Sequence, residues 1–270
     1  MPDPGLIGAY IGLGLTVGFV AGLLGVGGGL IIVPALIFLF HAQGMAAGME
    51  PQLAIGTSLA SILFTSISSV RAHHRHGAVQ WTLVRRITPG ILIGTLTGAW
   101  LATQMSAQTL KIFFVMFLFY AATQMWLDFK PKPHRALPGA MGTAFAGSII
   151  GAVSSWVGIG GGTLSVPFML WHNLTLHRAI ATSAAIGFPI AAAGAIGYAI
   201  GGRGTSSLPA HSLGFVYLPA LLGIVAGSVL TAPLGARTAH RLPVRPLKRI
   251  FAVLLYSLAV RMLFSLWGKP

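Results

Sequence analysis

The chain reads as an all-α protein, a polytopic transmembrane helical bundle. It is expected to comprise two inverted-topology repeats, each a glycine-broken, re-entrant-like hairpin plus three full transmembrane helices. Three observations predict this: scarcity of charge, apolar runs of membrane-span length, and a glycine motif that occurs twice. Charged residues are 7% of 270 and apolar residues 55%, against ~25% charged in a soluble domain. A soluble fold of this size would lack the polar side chains to cover its surface. The only carboxylates are Asp3, Glu50 and Asp128.

The first element is a long apolar run from Leu6 to Phe40. As one helix it would reach ~52 Å, beyond a ~30 Å hydrocarbon core. It must break, and Gly25 to Gly29 is the place, because glycine carries the largest entropic cost in a helix. The stretch from Leu30 to Phe40 is then about half a membrane thick. The equivalent run from Leu137 to Trp171 breaks at Gly158 to Gly162. The other segments, near 51–70, 83–103, 108–128, 179–200, 213–232 and 247–267, each approach the ~20 residues of one span.

The repeat is carried by matches in the same order. Gly25-Val-Gly-Gly-Gly-Leu-Ile-Ile-Val-Pro34 returns as Gly158-Ile-Gly-Gly-Gly-Thr-Leu-Ser-Val-Pro167. The same spacing pairs Gly14 with Gly147 and Gly18 with Gly151. Ala54-Ile-Gly-Thr-Ser58 matches Ala179-Ile-Ala-Thr-Ser183. The pair Gly94 and Gly98 matches Gly223 and Gly227, and Leu110-Lys111 matches Leu247-Lys248. The repeats are expected over residues 1–128 and 136–270, joined by a basic, proline-broken linker at 129–135.

Cations give the orientation. Arg71, Arg75, Arg85 and Arg86, the linker, Arg178, and the group Arg237 to Arg249 form four basic regions. The positive-inside rule places all four in the cytoplasm if each broken segment returns to its own side. The helix near 51–70 then runs inward and its partner near 179–200 outward, so the repeats are inverted and both termini face outside. Paired broken helices in inverted repeats point to a secondary transporter with a midplane site. The net charge of +14 is explained by these loops, so no nucleic-acid partner is expected. The N-terminus lacks a basic stretch, and no cleaved signal peptide is expected. With no cysteine, thiol chemistry and disulfides are excluded.

The candidate site lies at the two breaks. A helix start offers free N–H groups and partial positive charge, a ready seat for an anion. Glycine allows close backbone approach, which assigns Gly27, Gly28, Gly29 and Leu30 to substrate, with Gly160, Gly161, Gly162 and Thr163 in the second copy. Helix packing is the competing use of glycine. It is favoured for the spaced pairs, whereas a triplet is expected to exceed what packing needs. Thr57, Ser58, Thr182 and Ser183 are hydroxyls at matched positions, able to coordinate an anion or to bond their own helix carbonyls. Arg261 lies deep in the last segment and joins the candidates, since an intramembrane cation implies function. Lys111 and Lys248 are expected to snorkel. His73, His74 and His76 read as part of a basic loop, since a metal site usually adds carboxylate or thiolate partners. Trp156 reads as packing. No catalytic constellation is present, so no enzyme activity, metal or cofactor is expected.

These motifs resemble the sulfite exporter TauE/SafE family of membrane transporters through both halves of the chain. The resemblance implies movement of sulfite or of organosulfonates such as taurine and sulfoacetate. It places Gly27 to Gly29, Gly160 to Gly162 and the Thr-Ser pairs around the transport path. Ala181 stands where the first copy has Gly56, so the copies need not contribute equally. The expectation is a multi-pass protein of the cell (inner) membrane that carries a small anionic substrate by alternating access, with the lipid bilayer as its surroundings. An anion channel without coupled alternating access is the alternative. Homo-oligomer formation is left open.

Overall fold

The computed structural model describes residues 4–24, 28–45, 48–75, 77–128, 136–239 and 244–267. The linker at 129–135 and Gly27 lie outside the described residues. The first long run forms α1 (Pro4–Leu24) and α2 (Gly29–Ala42), followed by α3 (Glu50–Arg75), α4 (Trp81–Gln104) and α5 (Ala107–Leu127). The second run forms α6 (Ala140–Val157) and α7 (Gly162–Trp171), then α8 (Leu176–Gly201), α9 (Leu218–Ala239) and α10 (Val244–Trp267). A hairpin of β1 (Ser212–Leu213) and β2 (Val216–Tyr217) precedes α9.

Among the described residues, seven helices are long and apolar enough to cross a bilayer: α1, α3, α5, α6, α8, α9 and α10. α2 and α7 are not, at ~21 and ~15 Å. α4 matches them in length, but Arg85 and Arg86 enter its first turns. The outer surface is apolar, with Met141, Phe264, Leu222 and Ile250 more than two-thirds exposed. Small hydroxyls, among them Thr57, Ser58, Thr95, Ser154, Ser155 and Thr182, are buried. An apolar exterior around a partly polar interior is what a hydrocarbon solvent selects. The chain is a polytopic helical membrane protein.

One predicted segment is displaced. The stretch near 213–232 was expected to be helical from its start, but α9 begins at Leu218 and continues to Ala239. Gly214 adopts φ +53, and a Cβ there would collide with the Ala199 carbonyl. That tight turn folds residues 212–217 into the hairpin, and Phe215 N–H donates to the Tyr198 carbonyl at 3.1 Å.

The principal packing partners are α1 with α9, α4 with α6, α3 with α8, α5 with α10 and α4 with α8, and α3 also meets α9. α2 lies on α3, and α7 on α8. Exchanging the first five helices for the last five maps this set of pairs onto itself. The α1–α9 and α4–α6 seams are lined by glycine on both sides. A Cβ at Gly14 or Gly18 would strike the backbone of Ile224 or Ser228, and one at Gly227 the backbone of Ile11, Gly14 and Leu15. Gly94 and Gly98 meet Ser148 and Ala152, while Gly147 and Gly151 meet Ile87 and Ile91. The spaced glycines therefore serve close helix approach, as expected.

Candidate functional site

Both breaks are made by glycine. Gly158 ends α6 at φ +74, its N–H and that of Ile159 both donating to the Ser154 carbonyl. Gly161 then caps α7 at φ +77, a left-handed conformation that costs an ordinary residue energy. Its carbonyl accepts from Leu164 N–H at 3.1 Å and Ser165 N–H at 2.8 Å. Gly28 plays the same part for α2, accepting from Ile31 and Ile32 N–H at 3.0 Å each. The N–H groups of Gly29 and Leu30, and of Gly162 and Thr163, have no acceptor among the described residues. Those four groups are the orphan donors that a helix start leaves.

The breaks touch. A Cβ at Gly29 would collide with the Gly158 carbonyl and lie 3.1 Å from Ile159 Cα. Ser58 Oγ of α3 donates to that same Gly158 carbonyl at 2.8 Å. The start of α2 and the turn before α7 are thus pinned together inside the bundle.

Packing demands more of the glycine triplets than the sequence suggested. A Cβ at Gly28 would overlap Val17, and one at Gly161 would come within 2.5 Å of Ile190 Cδ1. At Gly160 it would lie 3.3 Å from Ile62 Cγ2. Close contact requires glycine at 28 and 29, where a Cβ would strike Val17 Cγ1 and the Gly158 backbone, while at 161 it is the left-handed φ of +77 that requires it. What sets these breaks apart from the packing seams is the helix-start N–H groups that lack acceptors among the described residues.

The paired hydroxyls hold the frame. Thr57 Oγ1 donates to the Leu53 carbonyl at 2.7 Å and accepts the Tyr217 N–H at 3.0 Å. Thr182 Oγ1 accepts the Gln80 N–H at 3.0 Å. Tyr217 immediately precedes α9 and Gln80 immediately precedes α4, so matched threonines each fix the start of a matched helix. Ser183 Oγ accepts from Ser165 Oγ of α7 at 2.8 Å. Gly56, where the second copy has Ala181, admits the Phe215 backbone of the hairpin.

Arg261 is not brought to the breaks. Its guanidinium stacks 4.7 Å from the Phe38 ring centre, nine residues along α2 from Gly29 and thus ~13 Å up the helix. Lys248 does not snorkel freely but pairs with Asp128 at 2.6 Å, joining the end of α5 to the start of α10. Trp156 donates to the Gly98 carbonyl at 2.9 Å and packs on Phe113, as expected of a packing residue. His74 accepts from Trp81 Nε1 at 3.2 Å. The side chains of His73 and His76 lie outside the described residues.

Of two buried hydroxyls at the second break, Thr163 was among the sequence candidates and Ser154 was not. Ser154 Oγ and Thr163 Oγ1 are buried and have no hydrogen-bond partner among the described residues. Ser154 lies outside the glycine motif, and only the turn at Gly158 folds it back over the start of α7.

Comparison with known proteins agrees with this architecture. The model of the family described as Sulfite exporter TauE/SafE matches residues 10–262. A "Probable membrane transporter protein" of Haemophilus influenzae is 35% identical over 252 residues, covering 93% of this chain and 95% of the relative. "Probable membrane transporter protein YunE" of Bacillus subtilis is 27% identical, with 94% and 96% covered. "Probable membrane transporter protein MJ0441" of Methanocaldococcus jannaschii is also 27% identical, with 85% and 82% covered. No solved structure matches. A match through almost the whole chain, over a bundle built around two glycine breaks, makes this protein a member of the sulfite exporter TauE/SafE family of membrane transporters.

Proposed function

We propose that the chain is a secondary transporter of the cell (inner) membrane that moves a small sulfur-containing anion, sulfite or an organosulfonate such as sulfoacetate or taurine. The observation that carries this reading is the meeting of the two breaks, Gly29 against Gly158, with two N–H groups at the start of each following helix that have no acceptor among the described residues. Helix starts that lack acceptors inside a membrane bundle favour a negative ligand. In this reading the first five helices and the last five are inverted repeats about that contact, with the 129–135 linker inside. Gly27 to Leu30 and Gly160 to Thr163 surround the substrate. Thr57, Ser58, Thr182 and Ser183 position the helices rather than ligate the anion. Arg261 acts from the flank, drawing anions toward α2. The contact between Gly29 and Gly158 closes the path, and alternating access opens it to one side at a time.

Two experiments test the proposal. Thermal stabilisation of the purified protein is measured against sulfite, sulfate, taurine, sulfoacetate and acetate. Saturable stabilisation by at least one sulfur oxyanion is expected, and stabilisation by none contradicts a sulfur-anion site. The natural chain has no cysteine, so single cysteines label cleanly. Lys132→Cys and Pro270→Cys are expected on opposite faces, and reaction of both from one side rules out the inversion.

A further inference from the structure

The two breaks are built alike but lined differently. Around Gly28, the side chains nearest to an added Cβ would be Val17, Ile32 and Ala21, the last at 3.8 Å. Around Gly161 they would be Ile190, Ser154 Oγ at 3.5 Å and Ile150. The spacing that aligns the two glycine motifs sets Val17 opposite Ile150, Ala21 opposite Ser154 and Leu30 opposite Thr163. The second break therefore carries two hydroxyls where the first carries a methyl and an isobutyl group.

Those hydroxyls, like that of Thr95 in α4, are buried without a hydrogen-bond partner among the described residues. Helical serines and threonines here mostly donate to a carbonyl three or four residues back, as Thr16, Thr88, Ser155 and Thr238 do. Ser154 is fully buried and makes no such bond, and Thr163, 7% exposed, makes none either. A buried hydroxyl without a partner carries a desolvation penalty that a ligand would relieve. Thr163 itself carries one of the N–H groups without an acceptor at the start of α7, and Ser154 Oγ lies 3.5 Å from the Cβ position of the capping Gly161.

We propose that the second break alone grips the oxyanion, through the Ser154 and Thr163 hydroxyls and the α7 N–H groups, while Val17, Ala21 and Leu30 form an apolar wall for the rest of the molecule. The preferred ligand is then an organic anion with one oxyanion head and a short uncharged tail, rather than a compact inorganic oxyanion. This rests on the transporter reading above and assigns a polarity to its site.

The test uses binding of ethanesulfonate and of sulfite to the full-length protein in detergent. Wild type is expected to bind ethanesulfonate more tightly than sulfite. Ser154→Ala and the isosteric Thr163→Val should each weaken both ligands about tenfold, the loss of one hydrogen bond to a charged group. Ala21→Ser should weaken ethanesulfonate and leave sulfite within about twofold, since it changes only the wall. Unchanged affinity in both hydroxyl variants overturns the proposal, as does an Ala21→Ser variant that gains affinity for both ligands. Those outcomes leave the sulfur-anion reading standing, whereas a wild type that binds neither anion counts against a sulfur-anion site as well as its polarity. Thr163→Val preserves shape, so its result holds even if Ser154→Ala proves unstable.

Discussion

At the scale of single residues, glycine in this protein is a statement about distance. Gly12 faces open space, and a Cβ there meets nothing within 4 Å, whereas at Gly18 it would come within 2.5 Å of Ser228 Cα. Gly12→Ala is therefore expected to raise the stability of the solubilised protein by ~0.5–1 kcal/mol, the usual helix gain. Gly18→Ala should lower it by ~1–3 kcal/mol through overpacking. Thermal unfolding of the two variants checks the contrast. The matched threonines make a second prediction. Thr57→Val strands the buried Tyr217 N–H, and Thr182→Val strands that of Gln80. Each should cost ~1–3 kcal/mol, the penalty of an unsatisfied donor. If both variants melt like wild type, these threonines do not hold α9 and α4 in place.

At the scale of elements, helix existence was easier to read from the sequence than helix starts. The breaks at Gly25 to Gly29 and Gly158 to Gly162 followed from length and glycine content alone, because no membrane accommodates a helix of ~52 Å. The start of α9 was missed because Leu213 to Tyr217 is as apolar as a helix. The signal for a hairpin was the single Gly214, whose positive φ accompanies the close approach of Ala199. The ion pair of Lys248 with Asp128 was also hidden, since 120 residues separate them. It clamps α5 to α10 with both side chains more than two-thirds buried. A double-mutant cycle with Asp128→Asn and Lys248→Met should return a coupling of about 1 kcal/mol. Additive single effects would show that the clamp does not stabilise this seam.

At the scale of the whole molecule, an apolar exterior encloses a seam of glycine and hydroxyl groups. The candidate site was partly legible. The two glycine triplets named the place, but not the reasons glycine is needed there, which are contact of Gly28 with Val17 and of Gly29 with Gly158, and the left-handed φ of Gly161. Ser154 was invisible because its role depends on the chain folding back at Gly158, and no local pattern records that. Arg261 looked central by depth in its helix, yet stacking on Phe38 holds it toward the far end of α2. The central claim is that this bundle drives a small sulfur anion across the membrane. Uptake of labelled sulfite and sulfoacetate into proteoliposomes under an imposed counter-ion gradient tests it most directly. Saturable accumulation of at least one beyond its own gradient is the predicted result. Flux of neither above protein-free vesicles, or flux that never exceeds the anion's own gradient, would contradict it.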